Sequence, residues 1–209
     1  MEVSAAEVAS VLGVSQRRVR ALIDAGRLPA RKVAGRWLID AAALPSPHRS
    51  RPMAAEQAWA ILDDRPLARS RQAASRLRRQ RARLADDPAP ERLLVSWVAS
   101  RARRMVFEAR NPDGLLSDER LVASGVSDRR AGIAPGGRVE GYVREADLAA
   151  VRRGHLLRPG GPASNVVLHI VDELPSFPVP LLVLAADLAE HNGPRDLARA
   201  RDLIAQAVS

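Results

Sequence analysis

The sequence predicts a mixed α+β protein, and three observations lead there. Residues 1–45 alternate short helical and β-prone pieces around glycine and proline turns, and residues 53–110 carry helix-period apolar positions amid surplus arginine. Residues 113–209 interleave two β-prone runs with helical ones, the pattern of a small sheet covered by helices. With 209 residues and a 46% hydrophobic fraction, the chain can build real cores for one ordinary domain or two small ones.

The elements follow in order. Ser4-Ala5-Ala6-Glu7 has the S-x-x-E form of a capping box, so a helix starts near Ser4, with Val8, Val11 and Leu12 as its apolar stripe. Gly13-Val14-Ser15 supplies a tight turn and a fresh N-cap for a second helix over Ser15 to Ala25. There Val19, Leu22 and Ile23 fall at i, i+3 and i+4, which sends Gln16, Arg17, Arg18 and Arg20 to the other sides. Such a helix meets the major groove with its first turns. Gly26 ends it, Leu28-Pro29 turns the chain, and Arg31 to Val33 and Trp37 to Ile39 flank Ala34-Gly35-Arg36 as a tiny hairpin, a wing under which Trp37 packs. Arg31 and Lys32 are candidates for phosphate contact, and Asp40 caps a further short helix through Leu44.

Glu7-Val8-Ala9, Leu12-Gly13-Val14-Ser15, Val19-Arg20, Gly26-Arg27-Leu28-Pro29 and Gly35-Arg36-Trp37 together resemble the excisionase and MerR-type winged helix-turn-helix family. The resemblance implies that Ser15, Gln16, Arg17, Arg18 and Arg20 occupy recognition-helix positions. It also implies that Gly35 and Arg36 form a wing tip that approaches the minor groove or the DNA backbone.

Downstream, residues 46–52, rich in proline, serine and arginine, read as a linker. Met53 to Leu62 is helical, with Ala58, Trp59 and Leu62 on its apolar face; Leu67 to Leu84 is helical and strongly basic, and Arg76 and Arg79 are its candidate DNA-backbone contacts. Glu91 to Arg104 reads as another helix, and the Asn111-Pro112-Asp113-Gly114 turn signal sets a boundary between a basic helical domain, 53–110, and an α+β partner-binding domain, 113–209. In the latter, a short helix near Asp118 to Ser124 precedes a glycine-rich loop. Strands at Val139 to Val143 and Asn165 to Asp172 flank a helix at Glu145 to Arg153, and helices at Leu181 to Glu190 and Pro194 to Val208 close the chain.

Charge supports this division of labour. Met1 to Ser50 has 8 basic and 4 acidic residues, Arg51 to Arg110 has 14 and 7, and Asn111 to Ser209 has 11 and 13, for nets of +4, +7 and −2. Because 32 of the 33 basic residues are arginine, placement rather than abundance carries the argument. No apolar run is long enough for a membrane span, no secretory signal is apparent, and with no cysteine there are neither disulfides nor thiolate metal sites. A cytoplasmic protein is expected.

Catalytic chemistry is not expected. Ser124-Gly125, the Val139 to Val143 strand, a helix and the Asn165 to Asp172 strand resemble a degenerate minimal nucleotidyltransferase layout. That layout holds Mg²⁺ with two carboxylates on one strand, and here the pair would be Glu140 and Tyr142, lacking one ligand. His48, His155, His169 and His191 have no i, i+4 histidine partner, His169 reads as a satisfied strand residue, and neither a cofactor nor a metal is expected.

The Arg51-Pro52-Met53 and Ala58-Trp59-Ala60 segments, Leu121 to Ser127, Val139 to Val143 and Asn165 to Asp172 together resemble AbiEi-like antitoxins paired with AbiEii-type nucleotidyltransferase toxins. That resemblance implies an autoregulating repressor with two partners, operator double-stranded DNA and a cognate toxin. The alternatives are a ligand-responsive repressor, a recombination directionality factor and an active nucleotidyltransferase.

Overall fold

The computed structural model describes residues 2–12, 15–24, 28, 30–33, 35–40, 52–63, 71–160 and 164–208. The Gly13-Val14 turn, Gly26, Pro29, Ala34, the short helix expected through Leu44, the linker to Arg51 and the start of the basic segment at Leu67 lie outside these residues.

At the N-terminus β1 (Glu2–Ser4), α1 (Ala5–Leu12), α2 (Gln16–Asp24), β2 (Ala30–Val33) and β3 (Arg36–Asp40) follow one another. The capping box forms as its sequence requires: Ser4 N–H donates to Glu7 Oε2 at 2.7 Å, and Glu7 N–H donates to Ser4 Oγ at 3.3 Å. The hydrogen bonds from Ser4 also lower the pKa of the Glu7 carboxyl. Ser15 caps α2, its hydroxyl accepting from Arg18 N–H at 3.3 Å. The hairpin pairs Lys32 with Trp37 and Val33 with Arg36. β1, not anticipated from the sequence, pairs antiparallel with β3 on its other side, making a three-stranded sheet in the order β1-β3-β2. Val8, Ala9, Val19, Leu28 and Ile39 form a core of their own beneath it.

The rest of the described chain is built on a five-stranded sheet in the order β5-β6-β8-β4-β7. Its strands are β4 (Arg103–Glu108), β5 (Val122–Ala123), β6 (Val139–Arg144), β7 (Arg158–Pro159) and β8 (Val166–Val171). β6 and β8 are parallel and joined through α6 (Glu145–Gly154); the other pairings are antiparallel. Side chains alternate across the strands. Val139 and Val143 of β6 and Val166, Leu168 and Ile170 of β8 point to the α6 side, where Leu148 and Val151 complete the core. Tyr142 and Val171 point the other way, onto a helical layer of α3 (Ala55–Asp63), α4 (Arg71–Asp86), α5 (Pro90–Val98), α7 (Leu181–Glu190) and α8 (Pro194–Val208).

This arrangement corrects three sequence expectations. The Glu91 to Arg104 helix stops at Val98, whose carbonyl accepts from Arg101 N–H in a turn. Met105, Phe107 and Ala109 then have period 2 rather than 3.6, so Arg103–Glu108 becomes a strand paired with β8. No helix forms at Asp118 to Ser124: a 3-10 turn, Pro112–Ser117, comes before it, and Val122–Ala123 is edge strand β5. That edge approaches β6 closely at Gly141, where a Cβ would meet the Val122 carbonyl oxygen at 2.6 Å. Finally, the boundary between residues 53–110 and 113–209 does not divide two cores. Trp59, Leu84, Leu94 and Trp97 share one cluster with Tyr142, Leu184 and Ile204, and β4 lies inside the sheet.

A shared core has a consequence for truncation. A fragment spanning 53–209 is expected to unfold in a single transition, whereas one beginning at Asp113 loses β4 and the packing of α3 to α5 and is expected to lack native-like near-ultraviolet dichroism. A cooperative unfolding transition in the shorter fragment would contradict the shared core.

Candidate functional site

The side chains of α2 divide as its period demands. Val19 is fully buried and Leu22 and Ile23 are half-buried, while Ser15, Gln16, Arg17, Arg18 and Arg20 are all exposed. Arg17, Arg20 and Asp24 lie opposite the buried stripe, with Gln16 and Arg18 flanking it. One short helix therefore presents three guanidiniums and one carboxamide around its first two turns. Arginine can grip guanine O6 and N7 and glutamine adenine N6 and N7 in the major groove.

The wing adds a second group of donors. Arg31 and Lys32 are exposed on β2, and the Lys32 ammonium stands 5.8 Å from the centroid of Trp37, its cross-strand partner. Gly35, at φ +80°, occupies a backbone region where side chains are strained, so the tight tip calls for glycine. Arg36 begins β3 directly after it.

The other two expected contacts lie elsewhere in the fold, on α4. Arg76 and Arg79 are exposed and, with Gln72 and Ser75, line an open depression of about 340 Å³. Arg79 donates to Ser75 Oγ at 3.3 Å. The opposite side of α4 is held by Leu84 in the core and by Arg81 donating to the Ile61 carbonyl at 3.1 Å, while Arg83, one turn on from Arg79 on the same side, stands 5.6 Å from the Trp97 ring centroid.

The expected nucleotidyltransferase pair is placed quite differently. Glu140 and Tyr142 point from β6 into the helical layer, and neither reaches a surface cleft. Glu140, 1% exposed, accepts at Oε1 from His169 at 2.9 Å and at Oε2 from His191 at 2.7 Å and Val126 N–H at 3.2 Å. Both carboxylate oxygens accept from protein donors. Gly125 is essential to that fit, since a Cβ there would lie 1.7 Å from Glu140 Oε2. Burial pushes the Glu140 pKa up, but the hydrogen bonds and charge of His169 and His191 push it down further, and the net shift is downward.

Tyr142 donates to Asp187 Oδ1 at 2.8 Å and accepts from Arg101 Nε at 3.1 Å. Arg101 also donates through Nη2 to Asp187 Oδ1 at 2.6 Å and through Nη1 to Glu190 Oε1 at 2.5 Å, and Ser124 Oγ donates to Asp187 Oδ2. Trp59 closes the assembly, donating from Nε1 to the Arg101 carbonyl at 2.9 Å with its ring edge-on to Tyr142. Burial holds the Tyr142 hydroxyl in its protonated form. Sequence reasoning missed this cluster. Its one local signal is a lone aspartate, Asp187, inside the otherwise apolar run of α7. Among the described residues, no group of three or more His, Cys, Asp or Glu could hold a metal ion, and no helix is long and apolar enough to cross a membrane.

Residues 2–44 match a family described as a helix-turn-helix domain, in agreement with the geometry of α1, α2 and the hairpin. The chain thus carries a helix-turn-helix domain at its N-terminus within a mixed α+β fold. No curated protein and no solved structure matches it.

Removing one partner from a buried charged cluster strands the others. Asp187→Ala, which removes the acceptor of Tyr142 and Ser124 and leaves the buried Arg101 with Glu190 as its one carboxylate partner among the described residues, is expected to cost about 3 to 5 kcal/mol in urea unfolding. Ser124→Ala, which removes one hydroxyl, is expected to cost about 1 kcal/mol.

Proposed function

We propose that this protein is a sequence-specific DNA-binding transcriptional regulator. The observation that carries the reading is α2, where Gln16, Arg17, Arg18 and Arg20 are exposed around a buried Val19 inside a matched helix-turn-helix domain. In this reading α2 enters the major groove of operator DNA, Ser15 caps it at the phosphate side, and Arg31, Lys32, Gly35 and Arg36 bring the wing to the neighbouring backbone. Arg76 and Arg79 on α4 add phosphate contacts that are blind to sequence. A repressor working on chromosomal DNA belongs in the cytoplasm.

The two kinds of contact separate in a binding assay. Arg17→Ala or Arg18→Ala is expected to cost about 1 to 3 kcal/mol on operator DNA and much less on scrambled duplex. Arg76→Ala or Arg79→Ala is expected to weaken binding to both DNAs alike and to reduce the slope of log K against log salt by about one. Fluorescence anisotropy over a salt series measures both. Parent-like operator binding by Arg17→Ala and Arg18→Ala would remove α2 from the interface.

Within this reading we propose a narrower role, a non-catalytic antitoxin that represses its own operon and neutralises a nucleotidyltransferase toxin. Its support is the sequence resemblance carried by Leu121 to Ser127, Val139 to Val143 and Asn165 to Asp172, together with the engagement of both Glu140 oxygens by protein donors. Co-expression is expected to rescue growth of cells producing the neighbouring toxin, and the purified protein with Mg²⁺ and labelled nucleoside triphosphates is expected to transfer nothing. Label transfer that Glu140→Gln abolishes would overturn the non-catalytic role.

A further inference from the structure

We propose that His169 and His191 are a proton-operated lock between α7 and the sheet: both are imidazolium in the folded protein, they clasp Glu140 from two sides, and loss of their protons loosens the helical layer. The inference does not depend on the DNA-binding reading, because every group it uses lies in the C-terminal fold.

The geometry sets the charge requirement. Three carboxylates, Glu140 from β6 and Asp187 and Glu190 from α7, converge in a space where Glu140 is 1% exposed and Asp187 fully enclosed. Arg101, from the turn between α5 and β4, is the permanent cation enclosed with them among the described residues, reaching Asp187 and Glu190 but not Glu140. With neutral imidazoles the three carboxylates would be met by Arg101 inside the cluster and by the exposed Arg104 at its edge. The enclosed Glu140 would then touch no cation among the described residues, an arrangement that a low-dielectric interior penalises heavily. Protonation of His169 and His191 gives Glu140 its own counter-charge. The nitrogens that meet Glu140, His169 Nε2 at Oε1 and His191 Nε2 at Oε2, donate in the neutral Nε2–H tautomer as well, so what the second proton adds is the charge. His169 Nε2 lies in addition 3.7 Å from Asp187 Oδ1, and its ring stacks on Tyr142 with centroids 4.9 Å apart.

Further charges stand at the edge of the cluster. Arg104 on β4 approaches Glu190 Oε2 at 3.5 Å, while Asp196 of α8 favours the charged form of His191 and Arg138 opposes it. Burial depresses both histidines. Against it, the Asp187 charge and the Glu140 hydrogen bond raise His169, and the Glu140 hydrogen bond and charge raise His191, so both finish above their ordinary value of 6.5.

The direction of the pH dependence follows. A histidine whose pKa is raised on folding contributes stability that is complete below 6.5 and disappears as the pH climbs through the folded value. The Glu140 contribution runs the opposite way: present above 4.5, it is lost as the pH falls toward the lowered folded value. Stability should therefore be greatest in mildly acidic solution and decline on the alkaline side. The loss acts at α7, and Arg101 and its Trp59 contact carry it to α5 and α3.

The test uses the full chain. Long-range proton–nitrogen NMR of the histidine side chains, assigned with single His→Gln variants, reads each protonation state directly. Urea unfolding from about pH 6 to about pH 9 reads the linkage. The lock predicts imidazolium signals for His169 and His191 at neutral pH. It also predicts an unfolding constant that rises with pH by up to about a hundredfold per unit when both protons leave, and by up to about tenfold per unit in His191→Gln, which keeps a donor for Glu140 but cannot titrate. Neutral imidazole signals for either residue at neutral pH overturn the proposal, as does the same alkaline slope in His191→Gln and the parent. Should the variant fail to fold, the NMR titration of the parent protein decides alone.

Discussion

The ion pair between Arg101 and Asp187 is the constraint on which the C-terminal fold depends. Its two residues lie 86 positions apart, one in the turn where the chain leaves the helices for the sheet and the other midway along a buried apolar helix. Neither tolerates enclosure alone, because a desolvated charge costs several kcal/mol unless a partner and further hydrogen bonds meet it. The structure meets that condition by surrounding the pair with Tyr142, Ser124 and Glu190, and each of these fixes another element: β6, the turn after β5 and the end of α7. Apolar packing brings the layers together, but it is non-directional and could accept several registers of helix on sheet. The polar cluster selects one.

The legible part of this fold was local. The Ser4 and Glu7 capping box, the Ser15 cap and the Val19, Leu22 and Ile23 stripe depend on residues a few positions apart, and each appears as the sequence reading has it. The same holds for β6, β8 and the last two helices, whose runs are long enough for period to decide. The exposed face of α2 was readable for that reason too, since exposure on a helix follows from which residues are buried.

What escaped was long-range or short. Arg103–Glu108 continued a run of helix-compatible residues, and only its pairing with β8, more than fifty positions away, makes it a strand. β5, with two residues, has no period to detect, and its place is decided by the absence of a side chain at Gly141. Glu140 and Tyr142 were visible as a polar pair on a strand, but strand alternation alone cannot say which face is buried. They face the helices because Val139 and Val143 are taken by the core against α6. The motif reading compared them with a metal-binding carboxylate pair that lacks one ligand. The fold turns them inward, where histidines supply the counter-charge.

The same packing gives the arginines of α4 a different character from those of α2. α2 rests on a small core, Val8, Ala9, Val19, Leu28 and Ile39 among the described residues, within a domain of about forty, a size at which stability is marginal. α4 belongs to the helical layer, with Leu84 in the large core and α8 packed against it, and α8 in turn packs along α7. Arg76 and Arg79 are therefore displayed by the body that contains the Arg101 and Asp187 cluster. Any event that shifts α7 on the sheet reaches the α4 surface through α8, whereas Arg17 and Arg18 answer to a core of their own. The exposed arginines of α2 and those of α4 thus rest on separate cores within one chain, and the second set is displayed by the body that holds the buried charges.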